Sequence, residues 1–430
     1  MRSSRNPLTI NQTGLVTVTL TNLKIRRIFI VRACLPVGRG DAPVMKDCIE
    51  NTGSRIPGLY IHIPFCLSKC HYCDFYSLTS ISAVPDFLDA LYKEMEMYRN
   101  RFNPFDTVYI GGGTPSLLTP EQLESILVSV RKNFNLISNP GITPEITIET
   151  NPADLNRSSL ESMRQIGINR INIGVQSFDE KVLVFLGRRH SVKQAISAIE
   201  NSRKAGFHNI GLDLIYGVPA QDLESWLDTL KQAVAFSPEH ISCYQLTLEV
   251  KTPLGIRYQA GEFSMPEEES QYEFFIKTSQ FLEDTGYIHY EVSNFARGKE
   301  HTSRHNQKYW DHSPFLGLGP SAHSFQGYRR WWNHRSLDQY LAAINTGDLP
   351  VEETETLTIE QLRLEALYFG LRTKKGVDLQ DFKNRYHYDL FTEKKKILAK
   401  LEEEGFISIQ DGYLYPTQTG LAVADSLSLI

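Results

Sequence analysis

Cys66, Cys70 and Cys73 close the run Tyr60-Ile61-His62-Ile63-Pro64-Phe65-Cys66-Leu67-Ser68-Lys69-Cys70-His71-Tyr72-Cys73, a C-x3-C-x2-C loop. Thiolates at that spacing reach three corners of an iron–sulfur cube and leave the fourth iron without a protein ligand. Four cysteines close an electron-transfer cluster; three leave one iron open for something else to bind. Zinc with His71 as a fourth ligand is the competing chemistry, but zinc knots bring a second ligand pair roughly 10–20 residues on. None follows Cys73, and the next cysteine is Cys243. Six cysteines in 430 residues, three of them clustered, suit a reducing compartment better than a disulfide scaffold.

Further polar residues recur beside short apolar runs. Gly111-Gly112-Gly113-Thr114-Pro115 lets the backbone approach a ligand closely. It is no phosphate loop, because the Lys-Ser/Thr ending is missing. Glu149, Gln176 and Asp213 lie in or at the end of such runs, and Arg188 follows a helix-like stretch. An acid between leucines, as Asp213 is, needs a partner if buried. The planar fork of Arg188 suits a carboxylate. Each could equally be a structural ion pair or a loop cap.

These residues must be positioned by alternating strands and helices. Gly58–Ile63, Thr107–Ile110, Glu145–Glu149, Arg170–Val175, Ile210–Ile215 and His240–Leu246 read as buried strands. Between them, 85–98, 120–134, 191–205 and 223–236 carry helical spacing. About six β/α units predict an α/β fold with an open parallel barrel, its sites at the strands' C-terminal ends. The cysteine loop follows the first strand, and the glycine run follows the second.

The cysteine loop resembles the signature of the radical SAM superfamily. In that family the open iron is chelated by S-adenosylmethionine, and one electron cleaves the sulfonium to a 5′-deoxyadenosyl radical. The resemblance implies a [4Fe-4S] cluster on Cys66, Cys70 and Cys73. It also implies S-adenosylmethionine contacts from Tyr60, Tyr72, Gly112, Gly113, Thr114, Glu149, Gln176, Arg188 and Asp213. The fold it implies is a partial (β/α)6 radical SAM barrel.

Within the superfamily the chain is similar to the group around oxygen-independent coproporphyrinogen III oxidase. The shared pieces are Tyr60–Cys66, Gly111–Ser116, Gly174–Phe178 and Leu212–Pro219. Two departures lead to a heme-chaperone branch of that group. Phe75 stands where the oxidase has a fourth cysteine, and His305-Asn306-Gln307-Lys308-Tyr309-Trp310 forms an HN-x2-YW segment. The resemblance implies heme binding at His305, Tyr309 and Trp310. From the residues alone, a histidine nitrogen is a common iron ligand, the two aromatics could cover a porphyrin face, and all three could equally be core. His312 and His323 rival His305 as ligand.

Two functions from different classes follow. One is a heme chaperone serving respiratory hemoproteins, with acceptor proteins and an electron donor for the cluster as partners. The other is an oxidase (a dehydrogenase of porphyrinogen propionates) in porphyrin biosynthesis. No catalytic residue is assigned. A homodimer and peripheral membrane contact stay open.

The chain is expected to divide into 1–55, a basic extension; 56–290, the barrel; 291–354, a connecting segment with the HN-x2-YW motif; and 355–430, a small domain. In the last, 357–371 and 393–404 read as helices, followed by alternating runs around Asp411-Gly412, a strong hairpin signal. This predicts an α+β winged-helix-like module. Its interleaved charges give no basic face for nucleic acid. The extension holds nine Lys or Arg and three Asp or Glu, so a net charge of −5 leaves −11 on the remainder. That body has no reason to bind nucleic acid. No run of 18 apolar residues exists. The chain is expected to be cytoplasmic; the extension reads either as a transit peptide, which would place it in mitochondria, or as sequence upstream of a start at Met45, and its Leu15–Leu20 stretch alternates like a strand.

Overall fold

The computed structural model describes residues 55–99, 101–102, 104–137 and 143–430. The readings made for the basic extension, save Arg55, lie outside them. Six strands lie side by side in chain order and all parallel: β1 (Gly58–Ile63), β2 (Thr107–Gly112), β3 (Glu145–Thr150), β4 (Arg170–Gln176), β5 (Ile210–Tyr216) and β6 (His240–Gln245). Helices Val84–Met97, Pro120–Asn133, Val192–Lys204 and Leu223–Ala235 fall where the spacing predicts them. Their starts are written locally. Thr119 and Ser191 each exchange hydrogen bonds with the glutamine three residues on, closing capping boxes.

Side chains alternate across a strand, and here the alternation separates two chemistries. Val108, Ile110, Ile148, Ile171, Leu212 and Ile241 are fully buried on one face and share a core with Leu91, Leu127 and Leu230 of the helices. The opposite face carries Tyr109, Glu149, Asn172, Asp213 and Ser242. Pairing sets Glu149 beside Asn172 and Asp213 beside Ser242. The parallel sheet is thus greasy outside and polar inside.

The sheet continues at both ends. β7 (Ile288–Glu291) and β8 (Asn294–Ala296) add antiparallel beyond β6. Beyond β1 come β9 (Phe315–Leu318), β10 (His323–Gln326), β11 (Arg329–Asn333) and β12 (Val351–Thr356), with β9 parallel to β1. The result is an open twelve-stranded sheet, ordered β12-β11-β10-β9-β1-β2-β3-β4-β5-β6-β8-β7, and no closed barrel. The segment expected as a connector from 291 to 354 therefore supplies strands at both ends of the sheet, and the expected boundary at 290/291 falls inside β7. Strands of three to six residues carry too little periodicity to be read from sequence.

The C-terminal module has its own apolar core, including Leu362, Leu367, Phe382, Leu398 and Leu414. Helices Ile359–Gly370, Leu379–Tyr386 and Lys395–Glu403 pack with a small antiparallel sheet of β13 (Val377–Asp378), β14 (Ile407–Gln410) and β15 (Tyr413–Pro416). Asp411 and Gly412 take φ of 50° and 80°, the double left-handed turn that matches strand twist in a two-residue hairpin. Phe325 of β10 joins this core, so the module is packed onto the sheet wing. Among the described residues no helix is long and apolar enough to cross a membrane.

Candidate functional site

The C-terminal ends of β1–β6 open into a cavity of about 1330 Å³. That exceeds the roughly 300–1,000 Å³ usual for one small ligand. Cys66, Cys70 and Cys73 line it, each partly exposed and free of any disulfide. Their loop is pinned at several points. Cys66 donates its amide to Leu78, His71 to Leu186, and Cys73 to Cys70. The Cys66 Sγ lies 3.3 Å from the Thr114 hydroxyl, and the Arg188 guanidinium donates to Cys70 Sγ at 3.3 Å. Cys243 is buried on the apolar face of β6, where burial holds its thiol well above the ordinary range.

The glycine run docks onto that loop. The amides of Gly113 and Thr114 donate to the carbonyls of Ile63 and Phe65. A Cβ on Gly113 would stand 2.5 Å from the Phe65 oxygen, and Gly112, at φ 109°, would meet the His62 ring at the same distance. Only glycine permits this approach. Glu149 accepts from the Tyr109 hydroxyl at 2.8 Å and from the Gly112 amide at 3.1 Å. Burial pushes its carboxyl up to about 7, against those two donors. Burial likewise raises Asp213 to about 6, although Ser242, Arg170 and Arg188 oppose the shift.

Gln176 ends β4 at φ 64°, a left-handed conformation uncommon for a residue with a side chain. The pairing of β4 with β5 slips between Ile173 and Gln176, and such irregularities re-aim side chains next to active sites. Arg188 bridges the arrangement, donating to the Gly174 carbonyl at 2.7 Å and the Tyr72 hydroxyl at 3.4 Å as well as to Cys70. Tyr60 hydrogen-bonds His62 at 3.0 Å and also lines the cavity. All the residues expected at the cluster and around S-adenosylmethionine therefore line this one cavity.

The HN-x2-YW segment divides. It forms the helix Arg304–Trp310, seated at the starting end of the strands. Tyr309 and Trp310 line the cavity. His305 lies behind them with no exposed surface, stacked on Tyr109 with ring centroids 5.1 Å apart. Its Nδ1 meets the Thr107 hydroxyl at 2.9 Å and its Nε2 the Tyr309 hydroxyl at 2.9 Å. Burial holds it at about 3, so the ring is neutral. Both of its nitrogens are thus engaged: Nδ1 fastens the helix to β2, and Nε2 meets a residue of its own helix. His312 lies 3.2 Å from the Tyr386 hydroxyl and 3.6 Å from the Glu365 carboxylate, while lining the cavity. His323, the first residue of β10, also lines it and is held at about 4 by burial, with Arg330 and His62 adding to the effect.

Several cavity residues were not anticipated. Tyr109, Asn151, Tyr244 and Arg335 line it, and Asn172 stands next in register to Glu149. The signal was present as polar residues at every second position of otherwise apolar strands. Glu94, on the buried face of its helix, receives the Gly319 amide at 2.8 Å, the Asn333 amide at 2.6 Å and the Tyr340 hydroxyl at 2.7 Å. It ties down the loop leading to His323. Phe75 is 42% exposed and lines the cavity. So do Phe406, Leu421 and Asp425 of the C-terminal module.

Comparison with known proteins agrees with this geometry. A family model of the radical SAM superfamily matches residues 60–233, and one of the HemN C-terminal domain matches 357–423. The chain is 34% identical to the heme chaperone HemW of Bacillus subtilis over 366 residues, covering 84% of this chain and 95% of the relative. It is 35% identical to the heme chaperone HemW of Synechocystis over 390 residues, 86% of this chain and 92% of the relative. A mitochondrial radical S-adenosyl methionine domain-containing protein 1 of Danio rerio is 32% identical, with 86% and 85% covered. The solved coproporphyrinogen III oxidase HemN of Escherichia coli superposes with a TM-score of 0.75 at 24% identity, covering 91% of this chain and 93% of that one. Three cysteines on one loop, an inward polar sheet face and near full-length relatives lead to one conclusion: the chain belongs to the HemW family of the radical SAM superfamily.

Proposed function

We propose that the chain is a heme chaperone that carries a [4Fe-4S] cluster on Cys66, Cys70 and Cys73, binds S-adenosylmethionine beside it, and passes heme to respiratory hemoproteins. The radical SAM family implies the first two cofactors; heme is suggested by the names of the relatives. The observation that carries the reading is a single cavity whose lining combines two chemistries: the thiols, the glycine run and the acids Glu149 and Asp213, together with Tyr309, Trp310, Phe315, Phe325 and two histidines.

The residues fit the groups. Glu149 and Asp213 are acids kept from bulk water and make no salt bridge among the described residues, which suits the positively charged ammonium and the ribose hydroxyls of S-adenosylmethionine. Arg188, beside Cys70, suits its carboxylate. Tyr60, Tyr72, Gly112, Gly113, Thr114 and Gln176 supply the surrounding surface. When bound, the cluster and S-adenosylmethionine supply one-electron chemistry that the protein itself lacks. The aromatic wall gives a flat apolar ligand large contact area. Arg335 at the mouth makes no salt bridge among the described residues and lies 6.0 Å from the centre of the Tyr76 ring, available to a ligand's carboxylate. Acceptor hemoproteins and an electron donor complete the scheme. The bacterial relatives favour cytoplasmic residence, and the mitochondrial one keeps the transit-peptide reading open.

Oxidase activity is the second reading, since the same radical site would serve it. Phe75 argues against it, because its ring offers neither thiol nor proton. The test is an anaerobic assay with coproporphyrinogen III run beside a hemin titration of the same reconstituted protein. Heme binding without protoporphyrinogen IX formation supports the chaperone. Sustained turnover with no heme bound overturns it.

A further inference from the structure

Much of the inward sheet face converges on the Glu149 carboxyl. The titratable groups facing it are Tyr60 from β1, Tyr109 from β2, Asp213 from β5, Tyr244 from β6 and Tyr309 from the helix Arg304–Trp310. Tyr109 donates to its Oε1 at 2.8 Å, and the Gly112 amide donates to its Oε2 at 3.1 Å. Each oxygen keeps capacity to accept a further hydrogen bond from a ligand.

The Tyr109 hydroxyl is aimed by its neighbours. Asn172, beside Glu149 in the β3–β4 register, gives its amide nitrogen to the phenol oxygen at 3.3 Å. That leaves the phenol proton for Glu149. Burial and the facing carboxyls keep the phenol protonated, well above its ordinary range. Two glycines clear the space. A Cβ on Gly111 would stand 2.9 Å from the Tyr109 ring and 3.0 Å from the Glu149 carboxyl, and one on Gly211 would stand 2.5 Å from Asn172 Oδ1. The first glycine of the run therefore serves the Tyr109–Glu149 pair, whereas Gly113 serves the cysteine loop. A donor bound to a carboxylate favours its charged form. Burial lifts Glu149 to about 7, so loss of the Tyr109 donor would leave it mostly protonated at neutral pH.

We infer that Tyr109, oriented by Asn172, is a positioning residue that holds Glu149 as an ionised acceptor and so fixes how tightly S-adenosylmethionine is bound. This rests on the proposed contact between Glu149 and S-adenosylmethionine, and the experiment separates the two. S-adenosylmethionine is titrated into the anaerobically reconstituted full-length protein by equilibrium dialysis from about pH 6 to about pH 9. Affinities are taken as ratios of parent to variant at each pH, which cancels titration of the ligand's own amine. Tyr109→Phe should bind about tenfold to a hundredfold more weakly at the acid end. It should come within about twofold of the parent at the alkaline end, where solution pH restores the charge that the hydroxyl secured. Asn172→Ala should show a smaller deficit of the same shape, and it carries the test if the phenylalanine variant fails to fold. Glu149→Gln should show the opposite trend, losing most at high pH, and Tyr109→Phe added to it should bring no further pH-dependent loss. A deficit equal at every pH, or none, in the variants that fold overturns the inference while the contact stands. Parent-like binding by Glu149→Gln across the range overturns the contact and the inference with it.

Discussion

Both ends of the parallel strands are lined with buried polar groups, yet the two ends differ. At the starting end many of the groups answer one another, although Arg170, His240 and Arg304 keep nitrogens without a partner. Glu145 accepts from the amides of Arg304 and His305, Lys308 pairs with Asp106 at 2.7 Å and donates to the Ile56 carbonyl, and His305 uses both nitrogens. At the finishing end Glu149 and Asp213 hold their protons too tightly, Gln176 sits at a left-handed φ, and His323 has no partner. A chain keeps such unsettled groups where a ligand settles them.

The sharpest way to break this comparison is to remove a thiol. Cys→Ser at 66, 70 or 73 should abolish the cluster, measured as loss of about four irons and four sulfides per chain, whereas Cys243→Ser on the helix-facing side should retain them. Next come the unsettled groups themselves. Arg188→Ala and Asp213→Asn should weaken S-adenosylmethionine binding about tenfold to a hundredfold, since hydrogen bonds to charged groups contribute roughly 1.5–3 kcal/mol. Iron content should not change, and equal affinity in both variants would reject their role. At the opposite end His305→Ala should act on stability alone. Stranding the hydroxyls of Thr107 and Tyr309 should lower the unfolding free energy by about 1–3 kcal/mol in a denaturant titration. A normal midpoint there would erase the distinction between the ends.

The smallest effect is on pH. Glu149 and Glu94, raised by burial to about 7 from 4.5, and Asp213, raised to about 6 from 3.8, bind protons more firmly folded than unfolded. Their contribution is complete below the unfolded values and is lost as pH rises through about 6 to 7. His62, His190 and His323, held at about 4, and His305, at about 3, act oppositely and weaken the fold as pH falls through 6.5. At pH 6.5 an unfolded histidine is still half protonated, so between pH 6.5 and 8 the buried histidines, His240 and His289 included, and the buried acids act against one another. The denaturation midpoint of the ligand-free protein should change little from pH 6.5 to 8, and Glu149→Gln, which removes one of the acids, should make it rise with pH.

How much of this was legible in the sequence depended on how local the cause was. β1 keeps the limits Gly58–Ile63, and the Asp411-Gly412 hairpin forms as its turn chemistry dictates. The cysteine loop, the glycine run and the strand-end acids converge because parallel strands share one finishing edge. The fate of His305 was not legible, since a motif's spelling does not say which of its side chains the helix turns inward. Nor was the return of β9–β12, whose pairing is set by contacts some 250 residues away in the chain.

That return has a consequence for how the molecule is made. β1, which presents the cysteine loop, lies between β2 and β9, and β9 begins at Phe315. At the 5–20 residues per second of synthesis, about 13–50 s pass between the emergence of β1 and that of its second neighbour. Throughout that time one edge of the cluster-bearing strand stands unpaired, open to association with other chains. A ribosome stalled before Phe315 would release a chain with its three thiols present and their supporting strand half bound.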